Sequence, residues 1–182
     1  MTRVLIGVTG SVATVKLGEL ISELRSLSPE VEIRVVTTSH ARWFMGDQSL
    51  EAEHVYTDES EWSSWKRKGD PVLHIELRNW ADVFVIAPMS ANTLAKMANG
   101  LCDNLLTSIV RAWDPEKRLI VCPAMNTYMW NNVLTSKHLE TIKAVYPVEI
   151  VMPKSDYLLA CGDTGTGAMG GVDLISRVVL KI

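Results

Sequence analysis

The chain has 182 residues, of which 47% are hydrophobic and 21% are charged. This size and composition suit a single globular domain over residues 1–182 and exclude a disordered or fibrous protein. The net charge of −3 and the lack of a long basic run argue against nucleic acid as a main partner. No apolar run is long enough to predict a membrane span.

Cysteine usage indicates the compartment. There are three cysteines and no Cys-x-x-Cys pair, which argues against a disulfide framework or a metal site and favours a reducing environment. Residues 1–3 lead directly into a strand-like run, so no signal peptide is expected. We therefore predict a cytoplasmic protein.

The first half of the chain alternates strand-like and helical patterns. Residues 4–8 form an apolar, β-branched run typical of a buried strand. A turn at 9–11 follows, and then a helix is predicted from the apolar spacing of Leu17, Leu20, Ile21 and Leu24. Further strands are predicted at 33–37 and 83–87, separated by a polar stretch at 57–70 that is either a surface excursion or a short helix.

The second half continues the alternation. Helices are predicted at 93–97 and 103–113, interrupted by Asn99-Gly100, and another at 136–145. Strands are predicted at 119–122 and 148–152, each stopped by a proline. A last helix is predicted from an apolar face whose members are Ile175, Val178, Val179 and Ile182.

Strand–helix alternation of this kind predicts an α/β fold, a parallel sheet flanked by helices on both faces. Ligands of such sheets bind beyond the carboxyl ends of the strands. Gly10-Ser11 lies at one such position, where glycine, a hydroxyl and a helix N-terminus could hold one phosphate. A plain turn capped by Ser11 remains the alternative. The full dinucleotide fingerprint is absent, so a mononucleotide fits better than NAD.

Three further loops carry unusual residues. They are Ala87-Pro88-Met89-Ser90-Ala91-Asn92-Thr93, Pro123-Ala124-Met125-Asn126-Thr127-Tyr128-Met129-Trp130, and the glycine-rich stretch 160–171. The last has five glycines, which predicts irregular structure and a mobile flap over a site, at about 155–171.

These loops, with His74-Ile75-Glu76-Leu77 and Ala160-Cys161-Gly162-Asp163, resemble those of the homo-oligomeric flavin-containing cysteine decarboxylases. The resemblance covers about residues 4–169. Within that family it is strongest to the phosphopantothenoylcysteine decarboxylase branch, which combines the histidine with the flap cysteine.

The resemblance implies a Rossmann-like (flavodoxin-like) three-layer fold, FMN as cofactor, and a homotrimer with the site at the subunit interface. It implies catalytic roles for His74 and Cys161, and substrate binding by Asn126 and Ala160. The cofactor-binding residues that it implies are Gly10, Ser11, Val12, Thr38, Ser39, His40, Ser90, Ala91, Asn92, Thr93 and Ala124.

The implied reaction is decarboxylation of 4'-phosphopantothenoylcysteine to 4'-phosphopantetheine in coenzyme A biosynthesis. We expect His74 to act as a base or to position the carboxylate, Asn126 to hold the carboxylate, and Cys161 to return a proton. Two positions depart from the family pattern. Leu158 replaces a usual Lys or Arg, for which Lys154 or Tyr157 could substitute, and Met169-Gly170-Gly171 replaces Met-Ala-Glu.

Three rival functions stay open. They are a non-enzymatic, phosphatase-inhibiting regulator of the same family, an NAD-dependent dehydrogenase, and a decarboxylase of peptide C-terminal cysteine.

Other notable side chains are given structural roles. Cys102 and Cys122 are expected to pack inside the protein, and Trp62 and Trp65 to anchor a loop rather than to cover an interface.

Overall fold

The computed structural model describes residues 1–46 and 54–182. Its main sheet has six strands, and all neighbouring strands run parallel. In chain order they are β1 (Arg3–Val8), β2 (Glu32–Thr37), β3 (His54–Tyr56), β4 (Val83–Met89), β5 (Arg118–Pro123) and β6 (Val148–Ile150). A separate two-residue hairpin pairs β7 (Tyr157–Leu158) with β8 (Thr164–Gly165).

Helices connect the strands. A 3-10 helix (Val12–Lys16) precedes the helices α1 (Leu17–Leu27), α2 (Arg42–Met45), α3 (Asp58–Ser64), α4 (Leu73–Trp80), α5 (Ala91–Asn99), α6 (Leu105–Arg111), α7 (Thr127–Trp130), α8 (Val133–Val145) and α9 (Val172–Leu180). None of the helices among the described residues is long and apolar enough to cross a bilayer.

The strand order is β3-β2-β1-β4-β5-β6. The chain first builds outward from β1 to β3, then crosses back to β4 and builds in the opposite direction. The loops that follow β1 and β4 therefore lead away in opposite directions and leave a crevice between them. Ligands of open parallel sheets usually bind in such a crevice.

Two hydrophobic clusters cover the two faces of the sheet. On one face, Ile6 of β1 packs in a cluster with Leu20 of α1 and Ile175 of α9. On the other, Phe84 of β4 packs in a cluster with residues of α4 and α6, Leu77 and Ile109. All six of these side chains are fully buried. This three-layer arrangement confirms the predicted α/β fold.

The structure corrects several predicted strands. β3 was not predicted, because it is a three-residue edge strand whose side chains are mostly exposed and give no apolar signal. β4 is therefore the fourth strand rather than the third. β5 includes Pro123 as its last residue, and β6 ends at Ile150 instead of Met152. β8 places a short strand inside the glycine-rich stretch that was expected to lack regular structure.

The helices need similar corrections. The polar stretch 57–70 contains a short helix, α3, but its Trp62 and the following Trp65 are 80% and 51% exposed, so the expected loop anchor is wrong. α4 was not predicted. The last helix ends at Leu180, and Ile182 lies beyond it and is exposed, so Ile182 is not part of its buried face.

Candidate active site

A cavity of about 440 Å³ opens at the carboxyl ends of β1, β4 and β5. Its walls come from the residues that directly follow these strands and from the segment 154–169. The predicted site residues that line it are Gly10, Ser11, Val12, Ser90, Ala91, Ala124, Asn126, Ala160 and Cys161. Thr38, Ser39, His40, Asn92, Thr93 and His74 are not among the lining residues.

The turn after β1 opens a 3-10 helix, not the α-helix predicted there. Ser11 is extended, and its Oγ accepts a hydrogen bond from the backbone N–H of Ala13 at 3.4 Å, so it caps that helix. A Cβ on Gly10 would lie 2.8 Å from the Cβ of His40. Glycine is therefore needed where the turn passes the loop that follows β2.

Thr9 joins the two sides of the crevice. Its Oγ1 donates to the carbonyl oxygen of Pro88 at 2.9 Å and accepts from the N–H of Ser90 at 2.8 Å. The residue is fully buried. These two bonds fix the loop after β1 relative to the loop after β4, although Thr9 and Ser90 are 81 positions apart.

The loop after β4 leads into α5. Ser90 is its N-cap, and the Ser90 Oγ accepts from the N–H of Thr93 at 3.2 Å and donates to the Thr93 Oγ1. Both side chains are thus engaged with each other. The N–H groups of Ala91 and Asn92, in the first turn of α5, have no partner within the helix and can serve an anionic ligand.

The loop after β2 supplies a second polar feature beside the cavity. The Oγ1 of Thr38 is buried and has no hydrogen-bond partner within the described part of the chain. Ser39 and His40 are exposed. A buried hydroxyl without a partner is costly in a folded protein, so this atom is suited to a bound ligand.

Cys161 and Asn126 meet at one wall of the cavity. The Cys161 Sγ lies 3.6 Å from the Asn126 Nδ2 and 3.5 Å from the Asp163 Oδ2. The Asn126 Oδ1 accepts from the N–H of Tyr128 at 2.8 Å, which fixes the amide so that its NH₂ group points to the thiol. Two residues from separate motifs therefore form one cluster, as a shared site requires.

The segment that carries Cys161 is tied to the sheet at its base. Lys154 and Ala168 form an antiparallel bridge, and the N–H of Met125 donates to the carbonyl oxygen of Gly167 at 2.9 Å. Gly167 has φ +138°, and a Cβ there would overlap the Met125 carbonyl oxygen. The two ends are therefore held, while the hairpin between them lies over the cavity.

Lys154 also brings a positive charge to the cavity wall. Its Nζ lies 5.1 Å from the ring centre of Tyr157, which lines the same wall together with Leu158. The Cε of Lys154 lies 3.7 Å from the position that a Cβ on Gly171 would take. Of the two residues proposed to replace the missing basic residue at position 158, Lys154 supplies the charge.

His74 lies away from this cluster, in the first turn of α4. Its Nδ1 is 2.6 Å from the Glu61 Oε1, and its backbone N–H donates to the Glu61 Oε2 at 3.0 Å. The His74 side chain is 26% exposed and that of Glu61 only 12%. His74 is not among the described residues that line the cavity, whereas Cys161 and Asn126 are.

Glu61, Thr9 and Asp163 contact predicted site residues but were not themselves predicted to act there. Nothing local in the sequence marks Glu61, because it is one of three acidic residues in the first turn of α3. Of the other cysteines, Cys122 is buried as expected, and burial raises the pKa of its thiol far above the usual value. Cys102 is exposed, so its expected packing role is wrong.

Comparisons with known proteins agree with this geometry. The flavoprotein family model matches residues 1–182. A phosphopantothenoylcysteine decarboxylase of Oryza sativa subsp. japonica is 54% identical over 178 residues, which are 97% of this chain and 79% of the relative.

Two solved structures superpose closely. A cysteine-to-serine mutant of a PPC decarboxylase, complexed with pantothenoylaminoethenethiol, has a TM-score of 0.93 and 50% identity, and the match covers 99% of this chain and 97% of that one. The FMN-binding protein AtHal3 has a TM-score of 0.89 and 51% identity, with 99% and 95% covered. By sequence and by structure, this chain belongs to the flavoprotein family, in its phosphopantothenoylcysteine decarboxylase branch.

Proposed function

We propose that this protein decarboxylates 4'-phosphopantothenoylcysteine to 4'-phosphopantetheine, the coenzyme A biosynthesis step, with FMN as cofactor. The observation that carries the proposal is the contact of Cys161 with Asn126 at the wall of the crevice cavity. A thiol and an amide side by side can serve the thiol and the carboxylate of a cysteine-like substrate. Relatives from Oryza sativa and Mus musculus that match 97% and 99% of the chain are named phosphopantothenoylcysteine decarboxylase.

The residues present fit FMN. The described part of the chain offers the Thr38 hydroxyl without a partner, the first-turn N–H groups of α5, and a glycine turn at Gly10. Together with the implied contacts of Ser11, Val12 and Ala124, these groups would hold the phosphate and one edge of the ring system. Among the residues that the structure describes, none of those lining the cavity is acidic, so an anionic cofactor meets no like charge from them.

FMN would supply a reversible two-electron oxidation of the carbon next to the substrate thiol. The negative charge that CO₂ loss leaves on the adjacent carbon can then be delocalised onto the sulfur. The protein's residues do the rest. Asn126 donates to the substrate carboxylate and orients it. Cys161 delivers a proton to the product carbon, and the segment above it excludes water from the site. His74 takes the proton from the substrate thiol.

The placement of His74 supports a shared site. Since His74 and Cys161 do not meet within one subunit, we propose that the histidine enters the cavity of a neighbouring copy in a homotrimer. The exposed side chains of Trp43, Trp62 and Trp65 supply apolar surface of the kind that subunit interfaces cover. The predicted cytoplasmic location remains part of this proposal.

The test is direct. The purified protein should be yellow with bound FMN, and it should release CO₂ from 4'-phosphopantothenoylcysteine. A colourless protein that takes up no FMN on reconstitution contradicts the proposal. A yellow protein that releases no CO₂ from this substrate, but does so from a peptide ending in cysteine, moves the function to the peptide branch. A yellow protein inactive on both favours the regulatory alternative.

A further inference from the structure

Glu61 and His74 form a short polar contact, and it involves the side chain of the proposed base. Both carboxylate oxygens of Glu61 contact the same residue: Oε2 accepts from the backbone N–H of His74 at 3.0 Å, and Oε1 lies 2.6 Å from the ring nitrogen Nδ1. We propose that Glu61 is a positioning residue that sets the tautomer and orientation of the catalytic His74. This inference rests on the proposed function, in which His74 is the base.

The contact geometry decides which nitrogen carries the proton. An ionised carboxylate only accepts hydrogen bonds, so the short contact of 2.6 Å requires a proton on the His74 Nδ1. In the neutral imidazole the Nε2 is then left without hydrogen and can accept the proton of a substrate thiol. When it does so, the Glu61 charge stabilises the imidazolium that forms.

Burial makes this pairing stronger than a surface ion pair. The Glu61 side chain is only 12% exposed, so water competes weakly for its oxygens. Forming the pair also costs little side-chain entropy. The hydrogen bond from the His74 backbone N–H already fixes the Glu61 carboxylate relative to the start of α4.

The helix that carries Glu61 is itself anchored. Thr57 and Ser60 form a reciprocal capping box at the start of α3. The Asp58 Oδ1 accepts from the N–H of Leu105 at 2.9 Å, which ties α3 to the start of α6. The polar stretch 57–70 thus holds the Glu61 carboxylate against the His74 imidazole.

The first test is spectroscopic and needs no activity. In protein labelled with ¹⁵N in the histidine rings, neutral His74 should show a protonated Nδ1 and a bare Nε2. Finding the proton on Nε2 in the wild-type protein overturns the inference, whether or not the protein decarboxylates anything. A protein with the expected tautomer but no turnover leaves the positioning intact and removes the proposed function.

The second test is Glu61→Gln. Glutamine has a single carbonyl oxygen, so its NH₂ group must face either the His74 N–H or the ring nitrogen, and in the latter case it favours the wrong tautomer. We expect kcat to fall on the order of 10- to 100-fold with little change in KM, as is typical of residues that orient a functional histidine. Glu59→Gln, on the exposed side of the same helix, is the matched control and should be silent.

Two results of the second test would contradict the inference. One is a Glu61→Gln protein with kcat within about twofold of wild type. The other is that Glu61→Gln lowers kcat by the same factor in the His74→Asn background as in the wild-type protein. A residue that acts through His74 should have no further effect once the imidazole is gone. FMN content and Tm show whether each variant is folded. If Glu61→Gln does not fold, the wild-type tautomer decides the question.

Discussion

Cys161 shows how a single side chain acquires its role from its surroundings. It is exposed, it lies among residues with no core to fill, and its sulfur contacts an amide and a carboxylate. Cys122 has the same chemistry but is fully buried, so burial keeps its thiol protonated and unreactive. A thiol that donates a proton to a substrate must be accessible, which is true of Cys161 and not of Cys122.

Cys161→Ser tests the proton-donor role. We expect this variant to bind FMN and release CO₂, but to accumulate the oxidised enethiol, because a hydroxyl is a much weaker acid than a thiol. Mass spectrometry of the products would distinguish the enethiol from 4'-phosphopantetheine. Cys102→Ser, also an exposed cysteine, is the control and should form the normal product. Normal product from Cys161→Ser would rule out this role.

His74→Asn tests the base. We expect kcat to fall by about 10²- to 10⁴-fold, the usual contribution of a general base, while bound FMN and Tm stay close to wild type. Steady-state CO₂ release measures the effect. His138→Asn, on α8, serves as the control for loss of an imidazole. Turnover by His74→Asn at the control rate would remove His74 from the mechanism.

At the scale of elements, the glycine-rich segment combines a fixed base with a short hairpin. The bridge between Lys154 and Ala168 and the bond from Met125 to Gly167 hold its two ends. Lys154 lies at this base, so its backbone is held more firmly than that of a residue on the hairpin itself. A Cβ on Gly171 would overlap the Asp173 Oδ1 and would lie 3.7 Å from the Lys154 Cε, so glycine lets this part of the chain pass close to both side chains.

Lys154→Met tests whether this lysine recognises the substrate phosphate. We expect KM for 4'-phosphopantothenoylcysteine to rise on the order of tenfold, because a charge-assisted hydrogen bond to a partly exposed lysine contributes little more than about 1.5 kcal/mol. KM for the substrate without its phosphate should not change. Lys143→Met, on the exposed face of α8, is the control. An equal rise for both substrates would exclude phosphate recognition.

The proposed homotrimer concerns the whole molecule, because it combines side chains from different copies of the chain. His74 sits beside α3, whereas Cys161 sits over the crevice at the carboxyl ends of the strands. In the proposed homotrimer, a symmetric ring would bring such separated groups together, since each copy presents the same two surfaces to its two neighbours.

Subunit mixing tests the shared site. His74→Asn and Cys161→Ser are each expected to form little 4'-phosphopantetheine. When the two variants are co-expressed, random trimers should contain roughly a quarter of sites with both wild-type residues. Product formation should recover to about that fraction, as measured by 4'-phosphopantetheine release. Mixing of trimers purified separately, without subunit exchange, is the control. If the mixed trimers stay inactive, each site is built within one chain.

Local patterns predicted most of the sheet. β1, β4 and β5 contain continuous apolar runs, as is typical of strands covered on both faces, and β2 keeps enough apolar residues around Arg34 to be predicted. β3 lies at the edge and needs no such run, so nothing local marks it. α4 was missed because its sequence carries a motif and only one fully buried residue, Leu77, rather than an extended apolar stripe.

The sequence by itself determined the α/β fold, the position of the site beyond the strand ends, and the identity of the groups that meet there, Asn126 and Cys161. The fold and the position of the site follow from apolar periodicity, whereas Asn126 and Cys161 were implied by the resemblance of their loop motifs to those of the flavin-containing cysteine decarboxylases. Tertiary structure alone decided that Thr9 joins the two sides of the crevice, that Glu61 meets His74, and that His74 lies apart from Cys161. Hydrogen bonds between side chains on separate elements leave no periodic trace in a sequence, because each partner is fixed by packing and not by its neighbours along the chain.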